Sequence, residues 1–564
     1  MRRGPLIEQQ RKHNEEHNSR LLICSTPSEI LSEILDWAVH ADDDLRATTM
    51  PDTVSAVCRR WRNVAIASPC LWSRIAFSSA YAEGPFHWEG DALYLERSRA
   101  APLDVCIEWD RRTRDEKEGR IVPNPDLDDD MDDDDDDPPH WLTPADVNRA
   151  ARLLLPHVSR FRSFSIECEV YFPFHLMLST LSPAPANKLQ WLELSCTRAF
   201  AEAWRFLPAQ FGDAPPLFAG HMPALRDATF TGVHVAWDIS QLVNLRSLSL
   251  AHHALEVRPT MGTFRSIVES SPSLAKLELI GSCMQGEEDD DDAPAIPLVS
   301  LEALALRWMA PETLHTLVTL FPMRNLRRLA IADCMGRSSS ALLSFIGGTF
   351  VELTELELER VFGVQESEIV EMLAKLPRLQ KLVVDHAGSA RLVLAATIIR
   401  DCKRPALPGG PIMPALRELH ILNESDAEVV NVRQYLKHRA AMKLSPLTRC
   451  SVVQPDIEGD GEDERVLMSG DGEIVARVPF DPSDVLWHTQ WDALANAAAM
   501  SEPASPPAQY SDDSEADEYD SVVDSDNAST VSSGFQTDVD DEPSQKEVEA
   551  MLPSFHEELL AAFT

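Results

Sequence analysis

Leucine returns along the middle of the chain at a steady interval. A hexamer of the form L-x-x-L-x-L starts at Leu189, Leu245, Leu274, Leu301, Leu326, Leu353, Leu379 and Leu416, with Ile or Val at the last position in three copies. Weaker copies start at Phe161, Leu225 and Leu447. First positions from 245 to 379 are 29, 27, 25, 27 and 26 residues apart. Alternation within each hexamer predicts a short strand whose fourth and sixth residues point inward. Segments such as SEIVEMLAKL and TLHTLVTLF predict helical returns, and Pro just before the strand in SPSL, LPRL and MPAL ends each return. No unit of this size buries its apolar face alone, so the units are expected to stack into a curved solenoid.

A second pattern lies near the start. TPSEILSEILDWAVH pairs Ile30 with Ile34 and Leu31 with Leu35, giving two adjacent apolar stripes on one helix, and Pro27 suits its first turn. DTVSAVCRRWRNVAIASPCLW places Val54, Val57, Trp61 and Ala65 at helical steps and stops at Ser68-Pro69. About fifty residues of helix sit near the lower limit of what folds unaided. Such a unit is either a subdomain capping a larger core or a docking module.

The residue strings narrow this. Pro27-x-Glu29-Ile30-Leu31-x-x-Ile34-Leu35, Val57-Cys58-Arg59-Arg60-Trp61-Arg62 and Pro69-x-Leu71-Trp72 closely resemble the F-box, particularly the form common in fungal F-box proteins. Thr26 stands where that family usually has Leu. The resemblance implies a three-helix fold that sets Pro27, Ile30, Leu31, Ile34, Leu35, Val57, Cys58 and Trp61 at, or just beneath, a surface gripped by a Skp-type adaptor and, through it, a cullin. The repeats, at spacings near the 20–29 residues of leucine-rich repeats, resemble those of F-box proteins over about half the chain. The repeat's usual Asn or Cys is met by Cys334 and little else, so an irregular ladder is expected. The expected fold class is therefore α/β: a small helical F-box, a leucine-rich-repeat solenoid, and acidic disordered insertions and tail.

The expected organisation is a disordered N-terminal tail over 1–24, the helical unit over 25–80, a connector with an acidic run over 81–140 and the solenoid over 141–455. A capping hairpin (RVLMSGDGEIVARVPF) and a helix opened by Trp487 and Trp491 follow over 456–500, then an acidic Ser/Asp tail over 501–545 and a short helical element over 546–564. Serines before acidic residues (Ser511, Ser514, Ser525) are candidate sites for acidophilic kinases.

Third, fifth and seventh positions of each unit are expected to face the concave side. Trp191, Glu193, Lys276, Glu278, Arg307, Arg328, Glu355, Glu357, Glu359, Lys381, Asp385 and His420 are the candidate target-binding residues of that row. They are mixed in sign, which suits a protein or peptide partner of unknown identity.

Composition removes other classes. The 564 residues carry 91 acidic against 51 basic side chains, a formal charge of -40 that disfavours nucleic acid and anionic membranes as partners. Much of the charge lies in Asp128–Asp137, Glu287–Asp292 and Asp456–Glu464, where EF-hand spacing is absent. The ten cysteines are scattered singly, which fits a reducing compartment, and the first twenty residues lack the apolar stretch of a signal peptide. A cytoplasmic or nuclear protein is expected. Asn423 and Asn527 open glycosylation sequons that such a chain would not have filled. No GxGxxG, P-loop, GxSxG or HExxH occurs, and neither His13 with His17 nor His252 with His253 has the companions of a metal site. No cofactor and no catalytic residue is expected. The ligase subunit is the leading expectation, and a non-catalytic repeat scaffold unconnected with ubiquitin is the alternative.

Overall fold

The computed structural model describes residues 12–13, 23, 26–40, 50–78, 89–109, 144–168, 171–196, 214–281, 284, 295–309, 317–333, 339–361, 366–385, 394, 397, 411–422, 426–454, 464–469 and 473–479. The chain divides into two units, Met1–Pro503 and Ala504–Thr564, and every described residue belongs to the first. The runs Asp128–Asp137 and Glu287–Asp292, Cys334, the helix at Trp487, the kinase-site serines and the element over 546–564 lie outside the described residues.

Among the described residues, fifteen strands form one sheet, in the order of the sequence. They are β1 (Arg74–Ser78), β2 (Leu103–Trp109), β3 (Phe161–Cys168), β4 (Trp191–Cys196), β5 (Asp227–Thr231), β6 (Ser247–Ala251), β7 (Lys276–Ile280) and β8 (Ala303–Arg307). Then come β9 (Arg328–Ala332), β10 (Glu355–Glu359), β11 (Lys381–Asp385), β12 (Glu418–Leu422), β13 (Arg449–Gln454), β14 (Glu464–Met468) and β15 (Ile474–Pro479). Pairing is parallel from β1 through β13, and an antiparallel hairpin, β14 with β15, ends the sheet. Each of the eleven hexamers supplies one strand, β3 to β13. The sheet reaches beyond the expected 141–455 on both sides, because β1 and β2 join it ahead of the first hexamer and β14 and β15 join it after the last.

Leucines set the core. At the first, fourth and sixth positions of the eight strong hexamers no side chain is more than 4 % exposed, and they form one apolar cluster running from Leu31 to Met468. Returns to the next strand are α-helices where length allows: α5 (Pro144–Leu154), α6 (Tyr171–Leu181), α7 (Met261–Glu269), α8 (Ser339–Thr349), α9 (Glu366–Leu373) and α10 (Asp426–Ala441) in chain order after the four N-terminal helices. Thr260 caps α7 by accepting the Thr263 amide. On α10, the buried Arg439 donates to the carbonyls of Met413 (3.0 Å), Leu416 (3.1 Å) and Ser445 (3.2 Å), tying the helix to the turn before β12.

A left-handed residue follows six consecutive strands: Gly232, His252, Gly281, Trp308, Asp333 and Arg360, with φ between 44° and 60°. Each amide donates to the last carbonyl of the neighbouring strand at 2.7–3.1 Å, which extends the ladder by one residue before the chain turns away. Four of the six are not glycine, and their side chains make the position useful. The His252 and Trp308 rings meet at 4.7 Å across Gly281, where a Cβ would sit 3.4 Å from His252. Arg360 clasps Asp333 (2.5 Å) on one side and Asp385 (3.1 Å) on the other.

The N-terminal helices are α1 (Ser28–His40), α2 (Met50–Val57), α3 (Arg59–Ala67) and, after β1, α4 (Glu89–Arg97). α1 packs on α2 and α3 through Leu31, Leu35 and Val39, all buried. Pro69–Trp72 forms a 3₁₀ turn leading straight into β1. Its Trp72 is fully buried, donates its indole N–H to the Ala65 carbonyl (2.8 Å), meets Tyr94 edge-on at 4.9 Å and lies under the Arg97 guanidinium at 4.2 Å. Helical unit and sheet therefore share one core. Among the described residues no helix is long and apolar enough to cross a membrane.

Candidate functional site

Two surfaces come forward. The first is on α1. Its apolar residues divide between two stripes: Leu31, Leu35 and Val39 face the core, whereas Ile30 (46 %), Ile34 (44 %) and Trp37 (79 %) are exposed at i, i+4 and i+7, with Pro27 exposed at the helix start. Val57, at the end of α2, is exposed, and Cys58 and Trp61 are part-buried. Trp61 packs against the core, but its indole N–H, itself shielded from solvent, has no acceptor among the described residues. The eight residues named from the sequence thus separate: Leu31 and Leu35 build the unit, and Pro27, Ile30, Ile34 and Val57 are presented outward. Trp37 was not among them, since it lies past the matched string. Its i+7 relation to Ile30 is the signal that finds it.

The second surface is the sheet face opposite the leucines. Exposure falls along β4–β7 and β9–β12. Third positions Trp191, Lys276, Arg328, Glu355 and Lys381 are exposed or part-exposed, as is Glu193 at a fifth position. Glu278, Arg307, Glu357, Glu359, Asp385 and His420 are buried, which departs from the open row expected for them. Packing against neighbouring strands explains this, because over β7–β12 the charges neutralise one another. Arg307 reaches Glu359 at 2.9 Å, Lys276 reaches Glu278 at 2.9 Å and Lys381 approaches Glu357 at 3.4 Å. The His420 ring bonds Ser451 at 2.7 Å, and burial lowers its pKa despite Glu418. These six lie within the sheet, most of them paired with a neighbouring charge.

Over β2–β6 the balance differs. Burial, with the like charge of Glu167, raises the Glu193 pKa to about 7. Burial, with Glu108, Glu193 and Glu167, pushes the Cys106 thiol up to about 12. Asp104 at the strand start is held by Arg162, Nε to Oδ1 at 2.9 Å. His252 falls to about 4 and His253 to about 3, in both cases mainly by burial. No group of three or more His, Cys, Asp or Glu is placed to share a metal ion among the described residues.

No family model matches the chain, and no curated protein does. Among solved structures, a chain in the crystal structure of a TLR13–ssRNA13 complex is similar at 13 % identity and a TM-score of 0.21, over 49 % of this chain and 52 % of that one. The chain spans about half the length of that solved chain. What stands from the geometry itself is a mixed α/β protein whose parallel strands stack one per repeat, with an outward apolar stripe at one end.

Proposed function

We propose that the chain is the substrate-recognition subunit of an SCF-type (Skp/cullin/F-box) E3 ubiquitin ligase. In this reading the outward face of α1 docks a Skp-type adaptor, which brings a cullin, and the sheet holds a target protein. The chain performs no chemistry of its own and uses no cofactor. It supplies proximity, placing the target beside another protein's active site. The observation that carries the reading is the exposed Ile30–Ile34–Trp37 stripe, on the helix whose sequence resembles the F-box. Large apolar side chains exposed at helical spacing are what a partner would cover.

Co-purification tests it. Wild type is expected to capture a Skp-type adaptor together with a cullin, and Ile30→Asp with Ile34→Asp to capture neither while keeping its thermal midpoint. If wild type retains neither protein, or the double variant retains both, the ligase assignment fails. The chain would then be a repeat scaffold working outside ubiquitin ligation, a reading the mixed, part-exposed sheet face equally serves.

A further inference from the structure

The sheet face is not uniform in charge, and the contrast lies between its two halves. Over β7–β12, Lys276, Arg307, Arg328 and Lys381 interleave with the acids. Over β2–β6 the fifteen positions of the same face hold five carboxylates, Asp104, Glu108, Glu167, Glu193 and Asp227, and no Lys or Arg. Asp104 is answered from the strand edge by Arg162. Arg246, Lys276 and Arg226 draw the Asp227 charge in the same way. Glu193, between Ser165 and Thr229 in register, has no ion-pair partner among the described residues.

A second observation is independent of charge. Ser195, Thr231 and Ser249 are 2 %, 0 % and 3 % exposed, and none of their hydroxyls makes a hydrogen bond among the described residues. They lie on the same sheet face as Glu193, on β4, β5 and β6. Ser195 is two residues on along β4, Thr231 stands beside Ser195, and Ser249 stands beside Thr229. Buried hydroxyls are almost always satisfied, so three together without partners mark a place where polar groups await a ligand. At the open end of the same strand, Trp191 is 38 % exposed.

We propose that the β2–β6 face is a docking site for an arginine- or lysine-bearing segment of the target protein. The stem of the cationic side chain lies on the Trp191 indole, its head pairs with Glu193, and the nearer hydroxyls, Ser195 and Thr231, accept its remaining N–H donors. The high pKa of Glu193 agrees with this, since a carboxyl raised by burial and then by Glu167 gains most from an incoming cation. Its partial exposure leaves the way in. The proposal rests on reading the sheet as the target-holding surface, and the acidic segments elsewhere in the chain are of the wrong sign to occupy it.

The test uses the full chain and fluorescein-labelled nona-arginine, followed by anisotropy at physiological ionic strength, with nona-glutamate as control. Glu193→Gln and Trp191→Ala are each expected to weaken nona-arginine binding roughly tenfold, the scale of one lost charge-assisted or cation–π contact. Glu352→Gln, an equal loss of charge beyond β2–β6, is expected to change it less than about twofold. Thr231→Val, which keeps shape and removes a hydroxyl, serves as a second variant should Trp191→Ala unfold, and is expected to weaken binding as well. If Glu193→Gln and Thr231→Val bind as wild type does, or all variants weaken alike, the acidic runs hold the peptide and the site is refuted. Adaptor capture by the same variants separates the two readings. Loss of capture in wild type with the Glu193 effect intact removes the ligase and keeps the site, and normal capture without a Glu193 effect does the reverse.

Discussion

Replacing Glu193 by Gln removes a carboxyl that the folded chain holds protonated longer than the unfolded chain does. Free in an unfolded chain it ionises near 4.5, and in the fold near 7. Between those values the native state binds the extra proton, so stability falls as pH rises through the window, at about 1.4 kcal/mol per pH unit, and is level above it. The whole cost is about 3 kcal/mol. Gln keeps the shape and does not titrate. In urea unfolding series from pH 5.5 to 8.5, the variant is therefore expected to exceed wild type by about 1 kcal/mol at the acidic end and about 3 kcal/mol above pH 7. Asp91, which burial also raises to about 7, and Asp227 and Glu355, raised as well, cancel because both chains carry them. A gap that does not change with pH, or a variant less stable than wild type at pH 8, would refute the picture of Glu193 as a buried charge without a counter-ion. The same residue would thus be costly to stability and useful in binding, a trade expected of functional sites.

Other perturbations follow from the packing. Trp72→Ala should cost about 3–5 kcal/mol in chemical denaturation, because a fully buried ring and the partner of the Ala65 carbonyl go together. Leu31→Ala should cost about 2–5 kcal/mol and Ile30→Ala less than about 1, although both lie on α1, since Leu31 is buried and Ile30 is not. Lys443→Gly should raise stability by about 0.5–1 kcal/mol, as Lys443 follows α10 at φ 56° and is exposed. Arg439→Met should lower the urea midpoint by the equivalent of about 2–4 kcal/mol by leaving three carbonyls without donors.

The strands were legible because their cause is local. Leucine at positions one, four and six fixes both the strand and its buried side, and a slip by one residue would turn Leu277 and Leu279 outward. β2 alternates at Leu103, Val105, Ile107 and Trp109 but lacks the leucine hexamer and lies next to an acidic run, so its sequence reads as connector. The left-handed positions after the strands carry His, Trp, Asp and Arg as well as Gly, residues with no turn signature, so only backbone geometry reveals them. On α1 the sequence gives two like stripes, and nothing in Ile against Leu says which one meets the core. Packing decides. The sheet face was legible as a set of positions, but its burial was not. Whether Glu357 meets solvent or Lys381 depends on the neighbouring strand, 24 residues away.

The direct passage from Trp72 into β1 makes the stack a ruler. Strands advance by about 5 Å each, and the helical unit is anchored at the zero mark by a buried ring rather than by a linker. Measured along the sheet, β4 lies three strands, about 14 Å, from that mark, and β13 twelve strands, about 58 Å. Whatever is gripped at a given repeat is held at a set separation from whatever grips α1. Gaining or losing one repeat between them would change the reach in a single step of one strand width, leaving both grips untouched.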